Sequence, residues 1–262
     1  MSFKIFYFSG TGNSLFVAKE LKKYFKDSEL IPMAKCVLEE TYGFDEKNIG
    51  FVFPTYFMGL PKLVVDFVQN AKFKQAEYIF ALATRGSSLS GGALKMLNKY
   101  LSEKSRPLNY GRYITFFSNY LPEFKVPSEE KRLITIHDNE EIIYNYAQEI
   151  YDETKSISNH FLDFISEKYY KKYLREIEHS FKHFHVNRNL CSRCGLCEQI
   201  CPNNNIIMDD RDNPLWKHDC SLCLSCLHHC PTKAINYNHK TEEKERYSNP
   251  KVSIKELIDQ KR

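Results

Sequence analysis

The chain has 262 residues, of which 42% are hydrophobic and 27% are charged, and its formal net charge is only +4. This length and composition are typical of a globular protein with one large domain or two ordinary ones. The chain has no concentrated run of basic residues and no apolar run long enough to cross a bilayer. We therefore expect neither a nucleic-acid-binding protein nor a membrane-spanning one.

The first 150 residues alternate between predicted strands and predicted helices. Strand-like apolar runs cover residues 3–8, 29–33, 49–53, 77–84 and 113–120, and the last helical pattern runs from about 138 to 150. Short connections between alternating strands and helices are typical of a doubly wound parallel sheet. The sequence therefore predicts an α/β fold with five parallel strands in this part of the chain.

The first strand is followed by SGTGNS, which spans Ser9 to Ser14 and leads directly into a helical pattern. Glycines let this turn curl, and a helix N-terminus attracts negative charge, so the loop predicts a phosphate site. It is neither a dinucleotide-binding nor a Walker motif, and the lack of a lysine suits a monophosphate held by neutral donors. An ordinary capped turn between strand and helix is the alternative.

Two further loops follow predicted strands. The third strand runs into PTYFMGLP, with Tyr56, Phe57 and Met58, and the fourth runs into RGSSLSGG. Ligands of open α/β sheets bind at the carboxyl ends of the strands, where these loops lie. The aromatic residues suit stacking on a flat cofactor, and packing into the core is the alternative.

Residues 160–181 have apolar residues at 161, 165, 169, 173 and 177, which is helical spacing. We interpret this segment as an amphipathic connector that packs one face against a domain. The tail, residues 241–262, is charged and ends in a short possible helix after Pro250.

Eight of the nine cysteines lie in two copies of the spacing C-x2-C-x2-C-x3-C-P, at residues 191–202 and 220–231. Thiolates at this spacing hold two 4Fe–4S clusters, and the fourth cysteine of each copy binds the other cluster. Structural zinc and disulfides are the alternatives, but neither requires the third cysteine of each motif or the proline. The predicted ligands are Cys191, Cys194, Cys197 and Cys230 for the first cluster, and Cys201, Cys220, Cys223 and Cys226 for the second.

Cysteines that must remain thiolates for iron need a reducing compartment, so we expect a cytoplasmic protein. The start of the sequence, MSFKIFYF, also lacks the basic region and the cleavage site of a signal peptide. The ninth cysteine, Cys36, is interpreted as a buried small hydrophobic residue. His228 and His229, inside the second motif, are interpreted as surface residues without a redox role, and a protonatable ring that couples cluster charge to pH is the alternative.

The order of these features resembles a flavodoxin followed by a bacterial two-cluster ferredoxin. The resemblance is carried by the SGTGNS loop, the aromatic loop, the Gly/Ser loop, and the tandem cysteine motif that ends in CPTKAI. The whole chain is similar to the flavodoxin–ferredoxin fusion proteins of anaerobic bacteria and archaea. This resemblance implies a five-stranded flavodoxin-like domain that binds FMN (residues 1–157), a helical linker (158–181), and a small α+β ferredoxin-like domain with a charged tail (182–262).

In flavodoxins the first loop binds the phosphate of FMN and the other two loops border its ring. The resemblance therefore implies a phosphate site formed by Ser9, Thr11, Gly12, Asn13 and Ser14. It implies a ring site formed by Thr55, Tyr56, Phe57, Met58 and Gly59, and by Thr84, Arg85, Gly86 and Ser87.

Two departures from flavodoxins concern the flavin ring. The loop after the fourth strand has no aromatic residue, and the lone tryptophan, Trp216, lies near the second cysteine motif, so we expect one ring face to be uncovered. That loop carries Arg85 where flavodoxins tend to have acidic residues. A nearby cation favours the reduced, anionic flavin, so we hypothesise a higher flavin potential than in an ordinary flavodoxin.

Together these features predict an electron-transfer protein that relays electrons between two 4Fe–4S clusters and FMN, and so connects one-electron with two-electron carriers. The expected partners are redox proteins such as a ferredoxin, a hydrogenase or a reductase, and the slightly basic cluster segment suits an acidic one. The alternative is an FMN-dependent reductase of a small organic acceptor, such as a quinone, a nitro compound or an enoate. A redox sensor is a third interpretation, for which the sequence shows no output domain.

Overall fold

The computed structural model describes residues 1–159, 163–211 and 213–262. We call residues 1–157 the N-terminal unit. Its strands and helices, in chain order, are β1 (Lys4–Tyr7), α1 (Asn13–Tyr24), β2 (Glu29–Pro32), α2 (Met33–Leu38), β3 (Gly43–Phe44), β4 (Asn48–Pro54), α3 (Lys62–Asn70), β5 (Lys72–Phe73), β6 (Tyr78–Arg85), α4 (Ala93–Glu103), β7 (Tyr110–Thr115), α5 (Glu129–Tyr151) and β8 (Ser156–Ile157).

Within the described residues, six strands form one sheet in the order β2-β1-β4-β6-β7-β8, and every neighbouring pair is parallel. The first five follow the flavodoxin-like order, so the predicted fold class is confirmed. The structure adds a sixth strand, β8, which pairs with the start of β7. A strand of two residues is too short to leave a periodic pattern in the sequence.

Helices cover both faces of the sheet. Leu15 of α1 and Ile143 of α5 pack on one face, and Phe67 of α3 and Leu97 of α4 pack on the other. Because the central strands are buried on both faces, they read as continuous apolar runs, which is why the sequence revealed them. The largest differences from the predicted boundaries are in β7, which ends at Thr115 rather than at 120, and in α5, which begins at Glu129 rather than at 138.

The second part of the chain contains a long helix and a small unit of short elements. These are α6 (Asp163–His179), a 3-10 turn (Ser180–Lys182), β9 (Phe184–Val186), α7 (Leu196–Ile200), β10 (Ile206–Met208), β11 (Pro214–Trp216), α8 (Ser225–His228), β12 (Ile235–Tyr237), α9 (Ile254–Ile258) and a second 3-10 turn (Asp259–Lys261). Strand β9 pairs antiparallel with β12, and β10 pairs antiparallel with β11. We call residues 182–239 the cysteine-rich unit.

Helix α6 has the amphipathic character that the sequence predicts. Tyr173 and Ile177 are buried in a cluster with residues of the cysteine-rich unit such as Leu227 and Tyr237. The predicted apolar position at residue 161 lies outside the described residues.

The C-terminal tail packs against the N-terminal unit rather than extending into solvent. Val252 and Leu257 are buried in the hydrophobic cluster that contains Leu15 of α1. Helix α9 begins with a capping box, in which the Ser253 side chain accepts from the Glu256 backbone and the Glu256 side chain accepts from the Ser253 backbone. Across the described ranges, no helix combines the length and apolarity required for a bilayer crossing.

Candidate functional site

A cavity of about 420 Å³ lies at the carboxyl ends of β1, β4 and β6. All three predicted loops contribute to its wall. The predicted residues that line it are Ser9, Thr11, Asn13, Ser14, Thr55, Tyr56, Phe57, Met58, Thr84, Arg85, Gly86 and Ser87. Gly12 and Gly59 do not line it, whereas Gly10, which the sequence did not single out, does.

The first loop is closed by its own hydrogen bonds. The Gly12 backbone N–H donates to the Ser9 hydroxyl (3.0 Å), and the Ser14 hydroxyl lies 2.9 Å from that of Thr84. Gly12 has a φ of 97°, in the left-handed region that favours glycine, and α1 begins at the next residue. Because the first N–H groups of a helix have no partner within the helix, this end of the cavity is suited to an anion.

The second loop is a tight turn. The backbones of Tyr56 and Gly59 exchange two hydrogen bonds, of 3.0 and 2.8 Å. Phe57 and Met58 between them have φ values of 46° and 63°, which are unfavourable for bulky residues. The ring of Phe57 stacks on Tyr173 of α6 with centroids 5.6 Å apart. Phe57 therefore packs against α6 and also lines the cavity.

The third loop contains a cation with neutral partners. The Arg85 side chain donates to the Thr115 hydroxyl (2.9 Å) and to the Ser90 carbonyl (3.2 Å), and its guanidinium lies over the Tyr113 ring at 4.7 Å. Among the described residues, no carboxylate forms an ion pair with Arg85. Burial lowers the pKa of this guanidinium from its ordinary value, although the group stays charged. A positive charge is thus fixed at the cavity wall.

Aromatic residues outside the three loops also line the cavity. Tyr169 comes from α6, and Phe124 comes from the segment between β7 and α5. The rings of both are about half exposed, at 48% for each residue. Position 169 lies on the apolar stripe of the connector, but nothing local in the sequence shows where a connector packs, so the sequence does not predict that Tyr169 reaches the cavity.

The cavity wall contains a polar group that is ready for a ligand. The Thr55 hydroxyl is buried and has no hydrogen-bond partner among the described residues. An unsatisfied buried hydroxyl costs roughly 1–3 kcal/mol, so a polar ligand edge at this position would remove a penalty. The unpaired hydroxyl, the anion-binding helix end and the cavity's size fit a phosphorylated, partly polar ring system such as FMN.

The second set of predicted cluster ligands converges on one small cavity. Cys201, Cys220, Cys223 and Cys226 all line it. Two backbone N–H groups point at its sulfur atoms: Asn205 donates to Cys201 Sγ and Leu222 donates to Cys220 Sγ, both at 3.3 Å.

Two buried donors in the same small cavity lack a close acceptor. Asn205 and Trp216 line it, and neither Asn205 Nδ2 nor Trp216 Nε1 has an acceptor within hydrogen-bond distance among the described residues, although the Trp216 N–H interacts with the Cys226 thiol. Buried donors without acceptors fit a group that carries accepting sulfur atoms, as an iron–sulfur cluster does. Burial raises the pKa of the Cys220 thiol to about 11, so this cysteine would be a neutral thiol at neutral pH without a metal.

The first set of predicted ligands shares a second small cavity. Cys191, Cys194, Cys197 and Cys230 all line it, between the loop before α7 and the loop after α8. Cys194 is exposed, and the other three are partly buried. All nine cysteines are free of disulfides. The two sets therefore differ in position: the first set reaches the surface, whereas the second lies deeper.

The interpretation of His228 and His229 as surface residues is wrong, because both are more than nine-tenths buried. The Nε2 atom of His228 lies 2.9 Å from the Asn119 carbonyl, and its Nδ1 atom accepts from the Tyr247 backbone N–H at 3.1 Å. Burial lowers the pKa of His228 to about 3, in keeping with a neutral ring that donates through Nε2. The ring joins three segments that are far apart in the sequence.

The large cavity at the ends of β1, β4 and β6 and the second cysteine set meet at Cys223. Cys223 and Leu224 line the large cavity as well as the small one, and Leu222 lines the large one. The contact is tight, since a Cβ atom added to Gly10 would lie only 2.7 Å from the Cys223 carbonyl oxygen. No spacing in the sequence indicated which cysteine set lies next to the SGTGNS loop.

Comparison with known proteins bears on the two parts of the chain separately. Residues 182–239 match the family described as "4Fe-4S dicluster domain". No curated protein matched the chain. Similar solved structures include rubredoxin oxygen:oxidoreductase from the anaerobe Desulfovibrio gigas, at 18% identity over 58% of this chain and 36% of that chain, with a TM-score of 0.39.

Two other solved structures are similar over slightly more than half of this chain. One is an NAD(P)H:quinone oxidoreductase from Methanothermobacter marburgensis, at 11% identity over 56% of this chain and 96% of that chain, with a TM-score of 0.33. The other is an azoreductase from Bacillus anthracis, at 13% identity over 57% of this chain and 100% of that chain, with a TM-score of 0.32. The resemblance predicted from the sequence is confirmed on the strand order of the N-terminal unit and the family match of the cysteine-rich unit.

Proposed function

We propose that this chain is an electron-transfer protein in which the N-terminal unit binds FMN beside a pair of 4Fe–4S clusters. The observation that carries the proposal is the position of Cys223, which lines the flavin-like cavity and also belongs to the second cysteine set. A cluster ligand in the wall of a flavin cavity gives short contact between the two redox sites. When bound, FMN accepts one or two electrons, whereas each cluster exchanges one.

Different groups of residues would bind the phosphate of FMN, its ring and the two clusters. The helix α1 end, with Ser9, Thr11, Asn13 and Ser14, would hold the phosphate. Thr55 and the third loop would hold the ring, and the two cysteine sets would hold the clusters. The exposed Cys194 makes the first cluster the proposed contact point for a redox partner protein such as a ferredoxin, a hydrogenase or a reductase. The proposed domain limits remain 1–157, 158–181 and 182–262.

Iron and flavin analysis of anaerobically purified protein tests composition. We expect about eight irons and one FMN per chain, since each cluster contains four irons.

Cys223→Ala is expected to retain about four irons, and reduction of its FMN by a reduced ferredoxin should slow strongly. Cys36→Ala is the matched control, because Cys36 belongs to neither cysteine set and is buried in the core of the N-terminal unit, and it should behave as the wild type. A wild-type rate of FMN reduction in Cys223→Ala would contradict electron transfer through the second cluster.

A second candidate is an FMN-dependent reductase of a small organic acceptor such as a quinone, a nitro compound or an enoate. The observation that favours it is the apolar cavity mouth, where Leu89, Phe124 and Tyr169 are 57%, 48% and 48% exposed. Steady turnover of such an acceptor with dithionite as the electron source would support the reductase. Reduction of FMN without turnover of any acceptor would favour the carrier.

A further inference from the structure

The C-terminal tail contacts the backbone of the SGTGNS loop. The Asn249 backbone N–H donates to the Thr11 carbonyl at 2.9 Å. Gln260 binds both backbone groups of Ser9, accepting from its N–H and donating to its carbonyl, each at 2.9 Å. Four residues from two distant parts of the chain thus form a small hydrogen-bonded layer.

Two tail side chains converge on the side-chain oxygen of Asn13. The Tyr247 hydroxyl lies 2.6 Å from Asn13 Oδ1, and Asn249 Nδ2 lies 3.0 Å from the same oxygen. The orientation of the Asn249 amide is set independently, because its own oxygen accepts from the Lys251 backbone N–H at 3.0 Å. The Asn249 NH₂ group must therefore face Asn13, and the Asn13 oxygen must face the tail.

This arrangement determines what Asn13 presents to the cavity. With its oxygen engaged by two donors, the Asn13 amide turns its NH₂ group away from the tail. Asn13 is 7% exposed, is the first residue of α1 and lines the cavity, and no acceptor for its Nδ2 exists among the described residues. An amide N–H at a helix N-terminus that faces a cavity and has no protein acceptor is suited to an anionic oxygen.

We propose that Tyr247 and Asn249 are positioning residues for the phosphate of the flavin, so that the phosphate site extends into the chain segment beyond the cysteine motifs. The inference rests on the proposed function, since it requires FMN in the cavity. Without the two tail donors the Asn13 amide is free to rotate and to present its oxygen to the phosphate, which would repel it. The tail thereby couples folding of the C-terminus to recognition of the phosphate, not of the ring.

The test compares FMN with riboflavin, which has the same ring and no phosphate. Both are titrated anaerobically into flavin-free, cluster-loaded protein, and binding is followed by quenching of flavin fluorescence. For the double variant Tyr247→Phe/Asn249→Ala we expect the affinity for FMN to fall roughly tenfold, as for the loss of one charged hydrogen bond, while the affinity for riboflavin is unchanged. Tyr247→Phe alone keeps the ring and should give a smaller change in the same direction.

Leu257→Ala is the matched contrast, because Leu257 is a buried tail residue without a polar contact to the loop. It should leave the ratio of FMN affinity to riboflavin affinity at the wild-type value. An equal loss of both flavins in Tyr247→Phe/Asn249→Ala, or no loss of either, overturns the positioning role. If the wild-type protein binds FMN and riboflavin equally well, the inference is overturned, but the proposal that the chain binds a flavin stands. Wild-type protein that binds neither would overturn the proposed function together with the inference.

Discussion

The backbone of Gly10 lies directly against that of Cys223. A Cβ atom on Gly10 would lie 2.7 Å from the Cys223 carbonyl oxygen and 3.0 Å from the Tyr56 hydroxyl. Real Cβ atoms do not approach backbone so closely, so only glycine lets the two loops meet without a shift. The contact joins the loop proposed for the flavin phosphate to the loop proposed for the deeper cluster.

Gly10→Ala is therefore expected to push the two loops apart and to lower stability by about 1–3 kcal/mol, as overpacking does. The melting temperature of cluster-loaded protein, measured by calorimetry, should fall, and FMN binding should weaken with it. Gly43→Ala is the control, because a Cβ atom at Gly43 meets no atom within 4 Å. Equal melting temperatures for the two variants would contradict the close approach.

Tyr173 bridges the two units through its hydroxyl. It accepts from the Lys62 backbone N–H at 2.9 Å and donates to the Ser221 carbonyl at 2.9 Å, and the residue is fully buried. Tyr173→Phe leaves both backbone groups unpaired, which we expect to cost about 1–3 kcal/mol of stability. The loss should appear as a lower melting temperature, whereas the exposed Tyr151→Phe should melt as the wild type does.

Arg85 provides a test of the hypothesis on flavin potential. Its charge lines the cavity without a carboxylate partner among the described residues, so it should favour the reduced flavin. Arg85→Gln is expected to lower the two-electron midpoint potential of bound FMN, by roughly 30 mV for every 1.4 kcal/mol of lost interaction. Spectroelectrochemistry measures the change. Arg112→Gln, which removes a cation paired with Glu149, should leave the potential unchanged, and equal shifts in both variants would refute the hypothesis.

Cys36 is expected to resist alkylation in the folded protein. It is 4% exposed, and burial, aided by Glu39, raises the pKa of its thiol to about 11. Because the thiolate is the nucleophile, the group is unreactive at pH 8 and becomes reactive only as the pH approaches that value. Mass spectrometry after iodoacetamide treatment of cluster-loaded protein should show no modification at Cys36. Guanidinium-unfolded protein should be alkylated there at the same pH, and rapid modification of the folded form would refute this burial.

Much of the fold was accessible from local patterns. Strands β1, β4 and β6 are buried on both faces and read as apolar runs, so their order with the helices between them predicted the sheet. Strand β8 escaped detection because two residues carry no period. His228 was misread because its polar side chain is satisfied by Asn119 and Tyr247, partners that no local rule identifies.

The candidate site was partly accessible for the same reason. Ser9, Thr11, Asn13 and Ser14 follow a strand and open a helix, a combination that chain order alone reveals. Tyr169 and Phe124 reach the same cavity from a connector and a loop, and their contribution depends on how α6 and that loop pack.

The sequence by itself determined the chemistry: two copies of a four-cysteine motif whose spacing is typical of cluster ligands, and a glycine- and hydroxyl-rich loop at a helix N-terminus. These are properties of neighbouring residues, and neighbours in the chain are necessarily neighbours in space. Only the tertiary structure decided which cysteine set lies beside the flavin-like cavity and which residues hold the Asn13 amide. Asn13 and Tyr247 are 234 positions apart, and a contact over that distance arises from packing of the whole chain, which leaves no periodic trace in either segment.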